Sequence, residues 1–438
     1  PAPRVGEHNR EILDAPTPDP KCARAETRKS GAGALEGLRV VEFGTGMAAP
    51  WISRFMAWCG AEVIKVESGQ YPDVPRLYIS PREPEKGIQP QNSPWFTDWN
   101  AGKRFIGLDL TRPEAAELCR RLIAKSDIVV ANYSAGVLEK LGLGYDALKA
   151  ENPELILLSS NGYGDSGPQR RYVTWGSNIE ALSGLSSLTG FAHRDCTMTH
   201  FAYPDPLSAL HGLVGVLAAL QYREREGRGQ YIDMSQFETT VASIGPALLE
   251  VLASGEEPTK LGNRSHHAAP HGCYPCAGED RWCVISVGSD AQWEHFCELL
   301  GRPAWTRDAR FATRQLRIEH AEALDAHVGE WSSRRTDYDV MAAMQGVGIA
   351  AGVVQNTEDL LRRDPQLAAR GFFEEIPHLT KGVVTASGIP LGLTGTPGAT
   401  KRAGEAIGQD NDYVFREIVG LSAAQLQGYV ASGAVETG

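Results

Sequence analysis

The chain is short of several features that would place it in a class at once. Only eight of its 438 residues are cysteine. Most of these (Cys59, Cys119, Cys283, Cys297) sit inside apolar segments, which argues for reduced thiols and against the disulfide framework of a small secreted domain. Long hydrophobic runs are missing. The longest, such as Leu213 to Leu220, fall far below the ~20 residues of a membrane-spanning helix, and no secretory leader pattern is visible. The expectation is a cytoplasmic protein with no membrane partner. Positive charge is in deficit: 43 Lys and Arg face 54 Asp and Glu, a formal net charge of −11, and no basic stripe is interleaved with aromatics. A general nucleic-acid binder is excluded on that balance, and an anionic ligand has to meet a local cluster of cations. No G-x-S-x-G elbow is present, so Ser-His-Asp acyl transfer has no support.

What is present is an ordinary globular composition, 42% hydrophobic and 22% charged, long enough for two domains. Residues 1–34 are polar and rich in Pro, Ala and Gly, and read as a tail or linker. Gly6-Glu7-His8-Asn9-Arg10-Glu11-Ile12-Leu13 echoes Gly408-Gln409-Asp410-Asn411 with Arg416-Glu417-Ile418-Val419, as one copy of a tandem array would.

From Leu38 the pattern alternates. Strands are expected at Leu38–Phe43, Glu62–Val66, Phe105–Leu110, Ile128–Ala131 and Leu155–Leu158, with helices at Pro50–Cys59 and Pro113–Lys125. Such alternation predicts a Rossmann-like parallel sheet covered on both faces. Helices follow at Leu207–Tyr222 and Phe237–Ala253, then a linker at Gly255–Gly272. A smaller unit begins beyond it, with strands at Trp282–Val287 and Ala351–Val354 and helices near Ala291–Leu300, His320–Ser332 and Asp339–Met344. Phe372–Ile376 reads as a strand and Asp412–Val419 as a helix; the pattern leaves open whether they rejoin the first sheet.

Tyr203-Pro204-Asp205-Pro206 opens the longest of these helices. With Pro206 at its first position, Asp205 is expected as the N-cap, its carboxylate ionised and facing the positive end of the helix. That describes a structural cap, and equally a held nucleophile. Gly44-Thr45-Gly46-Met47-Ala48-Ala49 after the first strand, with Glu67 about 20 residues on, matches a loose dinucleotide fingerprint and keeps an NAD-dependent oxidoreductase in view; a tight turn needing small residues explains it as well. Lys103 and Arg104 are loop cations able to meet phosphate, or a solvated pair. Asn132-Tyr133 falls just past a strand, where ligands bind in such folds. Cys273-Tyr274-Pro275-Cys276 near His266, His267 and His271 is half a zinc site at best, so no metal is expected.

Several blocks together resemble the class III CoA-transferase family (CaiB/BaiF type), from about Leu35 onward. They are Leu35–Glu42, Gly60–Glu67, Asn100–Lys103, Asn161-Gly162-Tyr163-Gly164 with Gly167-Pro168, Ala181-Leu182-Ser183-Gly184, Asp205, Arg223–Gln230, Gly262-Asn263-Arg264 and Asp364-Pro365. The resemblance implies a large Rossmann-like domain over 35–254 completed by 367–438. A linker and small α+β domain would occupy 255–366, and two protomers would be threaded as interlocked rings. It implies Asp205 as catalytic aspartate, with CoA or acyl-CoA as substrate, a small carboxylic acid as acceptor, and no permanently bound cofactor. CoA would be met by Met47, Ala48, Lys65, Lys103, Arg104, Asn132, Tyr133, Gly162 and Tyr163. Met47 replaces the Gln of formyl-CoA transferase-like members. The racemases of the same fold use a His that falls on Trp175 here, which cannot move a proton at carbon, so racemase is the runner-up. Pro1–Asn9 resembles the usual ending of a family member, which suggests pairing with a homologous half, as in the tandem dimethylsulfoniopropionate CoA-transferase/lyase type.

Overall fold

The computed structural model describes residues 4–14, 33–77 and 93–437. Six parallel strands form the main sheet: β1 Arg39–Phe43, β2 Glu62–Glu67, β3 Arg104–Gly107, β4 Ile128–Ala131, β5 Ile156–Asn161 and β6 Tyr231–Ser235, in the order β3-β2-β1-β4-β5-β6. Their register sets Val41 beside both Ile64 and Val129, and Val129 beside Leu157. Because successive side chains leave a strand on opposite faces, two cores result. On one face Val40, Val63, Val130 and Leu158 pack under α1 (Ala48–Trp58) and the long helix Pro204–Glu226. On the other, Val41, Ile64, Val129 and Leu157 meet α2 (Pro113–Ile123) and the segment around Phe415. The long helix can lie close because Gly212 has no side chain: a Cβ there would stand 2.8 Å from Ile52 Cδ1 and 3.0 Å from Leu158 Cδ2.

A second core, built on Phe296, Phe311, Leu324, Val328 and Met344, lies under an antiparallel sheet of β7 (His271–Pro275), β8 (Trp282–Ser286) and β9 (Ala350–Val353). A hairpin follows, β10 (Phe373–His378) with β11 (Gly382–Ser387). The chain then returns to β3. The Asp410 carboxylate accepts Phe105 N–H at 2.9 Å, Asn411 Oδ1 accepts Gly107 N–H at 3.0 Å, and Val435 bridges Leu108 in antiparallel fashion. The outer edge of β3 is covered by residues about 300 positions later in the chain, which removes a free sheet edge.

Three local expectations change. The helix expected over Phe237–Ala253 is two helices, Gln236–Ser243 and Gly245–Ser254, broken where Gly245-Pro246 cannot continue the first. Part of the expected linker, from His271, is strand β7. The long helix starts at Pro204, one residue before the expected cap, and Tyr203 takes the N-cap position without a side-chain cap bond. Asp205 is therefore in the first turn and is not the cap. That helix is also less buried than its apolar run suggested, with Leu210, Val214 and Leu217 exposed.

Candidate active site

A cavity of about 880 Å³ opens at the carboxyl end of the main sheet. The residues at and just after the strand ends form its floor: Gly44–Met47 after β1, Glu67 and Ser68 at β2, Leu108–Thr111 after β3, Asn132–Ser134 after β4, and Asn161 with Gly162 at β5. Crevices at this place are where open α/β sheets take ligands. The far wall comes from α3 (Gly176–Leu182), the residues leading into it, and Met198 to Ala202.

Asp205 lies in this wall. Burial raises its carboxyl to about 6, opposed by the neighbouring N–H groups of Ala48 and of its own backbone. Ala48 is the first residue of α1, so the carboxylate lies at the positive end of a neighbouring helix rather than capping its own. A second helix start presses on it: a Cβ on Gly176, which opens α3, would fall 2.3 Å from Asp205 Oδ2 and 2.5 Å from Ala202 Cβ. The result is a partly desolvated carboxylate, held by backbone donors and facing open space.

Of the other residues expected at the site, Met47, Asn132, Tyr133 and Gly162 line the cavity. Asn132 has both amide atoms engaged, Oδ1 accepting Thr45 N–H at 2.9 Å and Nδ2 donating to Thr45 O at 2.8 Å. The Tyr133 hydroxyl is pushed up to about 12 by burial. Gly162 is kept bare by Thr174, whose Oγ1 would lie 2.0 Å from any Cβ. Ala48 reaches the site through its N–H alone. Tyr163 is outside the wall, tilted against Phe237 and edge-on to Tyr172 at ring distances of 5.6 and 6.1 Å.

The expected phosphate cations are a correction. Lys65 is fully buried: Nζ is 2.8 Å from Glu42 Oε1, 2.7 Å from Gly44 O and 3.0 Å from Asp73 Oδ2. Lys103 is equally buried, 2.7 Å from Glu42 Oε2, 2.9 Å from Pro50 O and 2.7 Å from Asn100 Oδ1. Each ammonium donates two hydrogen bonds and meets a further carboxylate oxygen at ion-pair distance, fully buried, so neither is open to a phosphate. Burial works against both charges; Asp73 and Glu42 outweigh it at Lys65, while Lys103 is drawn down to about 8. Glu42, opposed by burial but held between the two ammoniums, falls to about 2. Arg104 pairs with Glu62 at 3.0 Å and Asp410 at 3.2 Å, its guanidinium 4.0 Å above the Tyr413 ring. The groups an NAD site would need are spent as well. Glu67 is bidentate to Arg76 at 2.7 and 2.8 Å, and Gly46 N–H donates to Asp73 at 2.7 Å.

Sequence reasoning missed Asp73, Gly176, Arg170 and His200. Among the described lining residues, Arg170 is the guanidinium and His200 the imidazole. His200 stands at φ 58. Its neighbour Thr199 is tied to the buried Glu180 carboxylate through N–H at 2.7 Å and Oγ1 at 3.0 Å. Both residues lie in loops without periodicity, where only the folded chain brings them to Asp205.

The chain belongs to CoA-transferase family III, whose model matches residues 35–411. It is similar to a probable CoA-transferase of Mycobacterium tuberculosis, 32% identical over 435 residues, covering 98% of this chain and 53% of that protein. The chain thus spans about half the length of that relative. It is also similar to the succinyl-CoA–D-citramalate CoA-transferase of Chloroflexus aurantiacus, 32% identical over 392 residues, 90% of this chain and 96% of that one. Among solved structures, a CaiB/BaiF family protein from Brucella suis superposes with a TM-score of 0.81 at 30% identity, over 88% of this chain and 99% of that one.

Proposed function

We propose that the protein moves CoA from an acyl-CoA donor to a carboxylic acid through covalent loading of Asp205. The carrying observation is the half-buried carboxylate at two helix starts, open to a cavity large enough for a thioester ligand. An Asp205 oxygen attacks the thioester carbonyl carbon; the C–S bond breaks and CoA thiolate leaves an acyl-aspartyl anhydride. The thiolate attacks the aspartyl carbonyl and releases the donor acid, leaving an aspartyl-CoA thioester. The acceptor carboxylate attacks that carbonyl, giving a second anhydride and thiolate. Thiolate attack on the acceptor carbonyl yields the new acyl-CoA and frees Asp205. Each step exchanges one acyl bond for another, which is how a covalent carboxylate divides the barrier. Helix-start N–H groups are suited to steady each oxyanion.

For the acids we propose dicarboxylates. The Arg170 guanidinium supplies the cation that a second carboxylate requires, with the His200 imidazole beside it in the lining. Relatives carry the names succinyl-CoA–D-citramalate, succinate–glutarate and succinyl-CoA:mesaconate CoA-transferase. The test is mass spectrometry of the protein after incubation with a panel of acyl-CoAs, mono- and dicarboxylic, dimethylsulfoniopropionyl-CoA included. An acyl or CoA adduct on Asp205, strongest with a dicarboxylic donor, is expected; no adduct from any donor sinks the reading. A second reading, epimerisation beside the thioester, is favoured by His200 in the wall. It requires deuterium uptake from D2O into a 2-methylacyl-CoA, whereas a transferase leaves that carbon unlabelled.

A further inference from the structure

The buried cluster that removes Lys65 from phosphate binding has a second property: together with Asn132 it holds one short turn at five polar groups. Lys65 Nζ donates to Gly44 O at 2.7 Å. Asp73 Oδ1 accepts Gly46 N–H at 2.7 Å and Thr45 Oγ1–H at 3.0 Å, while Asp73 Oδ2 meets Lys65 Nζ at 3.0 Å. Asn132 takes both the N–H and the O of Thr45. Gly46 sits at φ 72 within this grip, a left-handed position suited to glycine. Two residues later Ala48 opens α1, its N–H near enough to Asp205 to lower that carboxyl, and Gly44 to Met47 line the same cavity as Asp205. The turn is thus clamped from the end of β2, from the loop after it and from the end of β4, and its free end leads into the helix start beside the reacting group.

Resting on the reading that Asp205 is the nucleophile, we infer that Asp73 and Lys65 are positioning residues for catalysis. They fix the Gly44–Met47 turn so that the first N–H of α1 stays aimed at Asp205 while its charge is lost and regained. The reason is general: a backbone donor stabilises changing charge only if it is already in place, and a four-residue turn containing two glycines has no stiffness of its own. An Asp carboxylate supplies two acceptors in one rigid plane, and the buried ammonium fixes that plane and one carbonyl of the turn together.

The test is steady-state kinetics of Asp73→Ala, Asp73→Asn, Lys65→Met and Thr45→Val in the full chain, with kcat normalised to CoA-binding sites counted by calorimetry. Normalisation removes any loss from unfolded protein, which a purely structural role would produce. Asp73→Ala is expected to lower kcat per site by about 100-fold, the scale of losing one preset oxyanion donor, with KM for acyl-CoA within about twofold. Asp73→Asn keeps an acceptor for Gly46 and Thr45 and is expected to recover most of that loss. Lys65→Met should lower kcat with CoA affinity kept. Should Asp73→Ala fail to fold, Thr45→Val removes one of the same bonds from a smaller side chain and is expected to lower kcat several-fold.

A rise in KM for acyl-CoA with kcat held would make Asp73 a CoA contact and overturn the inference, as would an Asn variant no better than Ala. Asp205→Asn separates the two levels. Full exchange in that variant defeats the nucleophile itself, whereas a dead Asp205→Asn beside a fully active Asp73→Ala defeats the clamp alone.

Discussion

A carboxylate that must attack a thioester has to be charged and poorly solvated at once, and these demands oppose each other. At Asp205 they meet near pH 6, because burial raises the carboxyl while the Ala48 N–H draws it back. In the proposed reaction the attacking form is the deprotonated one, so kcat/KM is expected to fall about tenfold per pH unit below about 6, measured as a pH–rate profile with a dicarboxylic donor. The same group works against the fold. Its folded pKa lies above the ordinary 3.8, so its contribution to stability is full below about pH 4 and is lost as pH rises through 6. Asp205→Asn is therefore expected to abolish exchange yet raise the melting temperature at pH 7, by about 1–2 °C for a chain of this size. Calorimetry at pH 7 and pH 4 checks it, the gain vanishing at the lower pH.

Among the elements, α3 carries the clearest prediction. Gly176 opens that helix with no room for a side chain, since a Cβ would meet Asp205 Oδ2 at 2.3 Å. Gly176→Ala is expected to cost about 100-fold in kcat by displacing the proposed nucleophile, with CoA binding by calorimetry little changed. α3 was itself invisible in the sequence, because a seven-residue helix gives too few turns for a periodic stripe. What could be read followed burial. β4 was found at its observed bounds, Ile128–Ala131, because a strand buried on both faces is an unbroken apolar run. β6, half-buried at the sheet's end with Asp233 exposed, offers no such run and was missed. Asp205 was legible from its flanking prolines. Lys65 and Lys103 were misread for a physical reason: a lysine looks like a surface cation until the partner that buries it is brought alongside, here Glu42 on β1, in register with Lys65 on the neighbouring strand and in reach of Lys103 just before β3.

At the scale of the whole molecule, no described helix is long and apolar enough to cross a membrane, and the main sheet is completed by a segment remote in the chain. Asn411 is the hinge of that closure, accepting Gly107 N–H at 3.0 Å and donating to Glu436 O at 2.8 Å while buried. Asn411→Ala strands a buried donor and a buried acceptor together, and is expected to cost about 1–3 kcal/mol for each. The measurement is the urea midpoint followed at the main-sheet core. Removing residues 404–437 altogether bares the edge of β3, and the expected result is soluble aggregate by size-exclusion chromatography.

That late return also sets a clock on synthesis. At roughly 5–20 residues per second, a ribosome needs on the order of 15–60 seconds after finishing β3 before the partner of Phe105, 305 positions on, is even made. Throughout that interval the nascent sheet offers its outermost strand to any neighbour, so the yield of native enzyme should depend on chaperone supply far more steeply than its equilibrium stability would suggest.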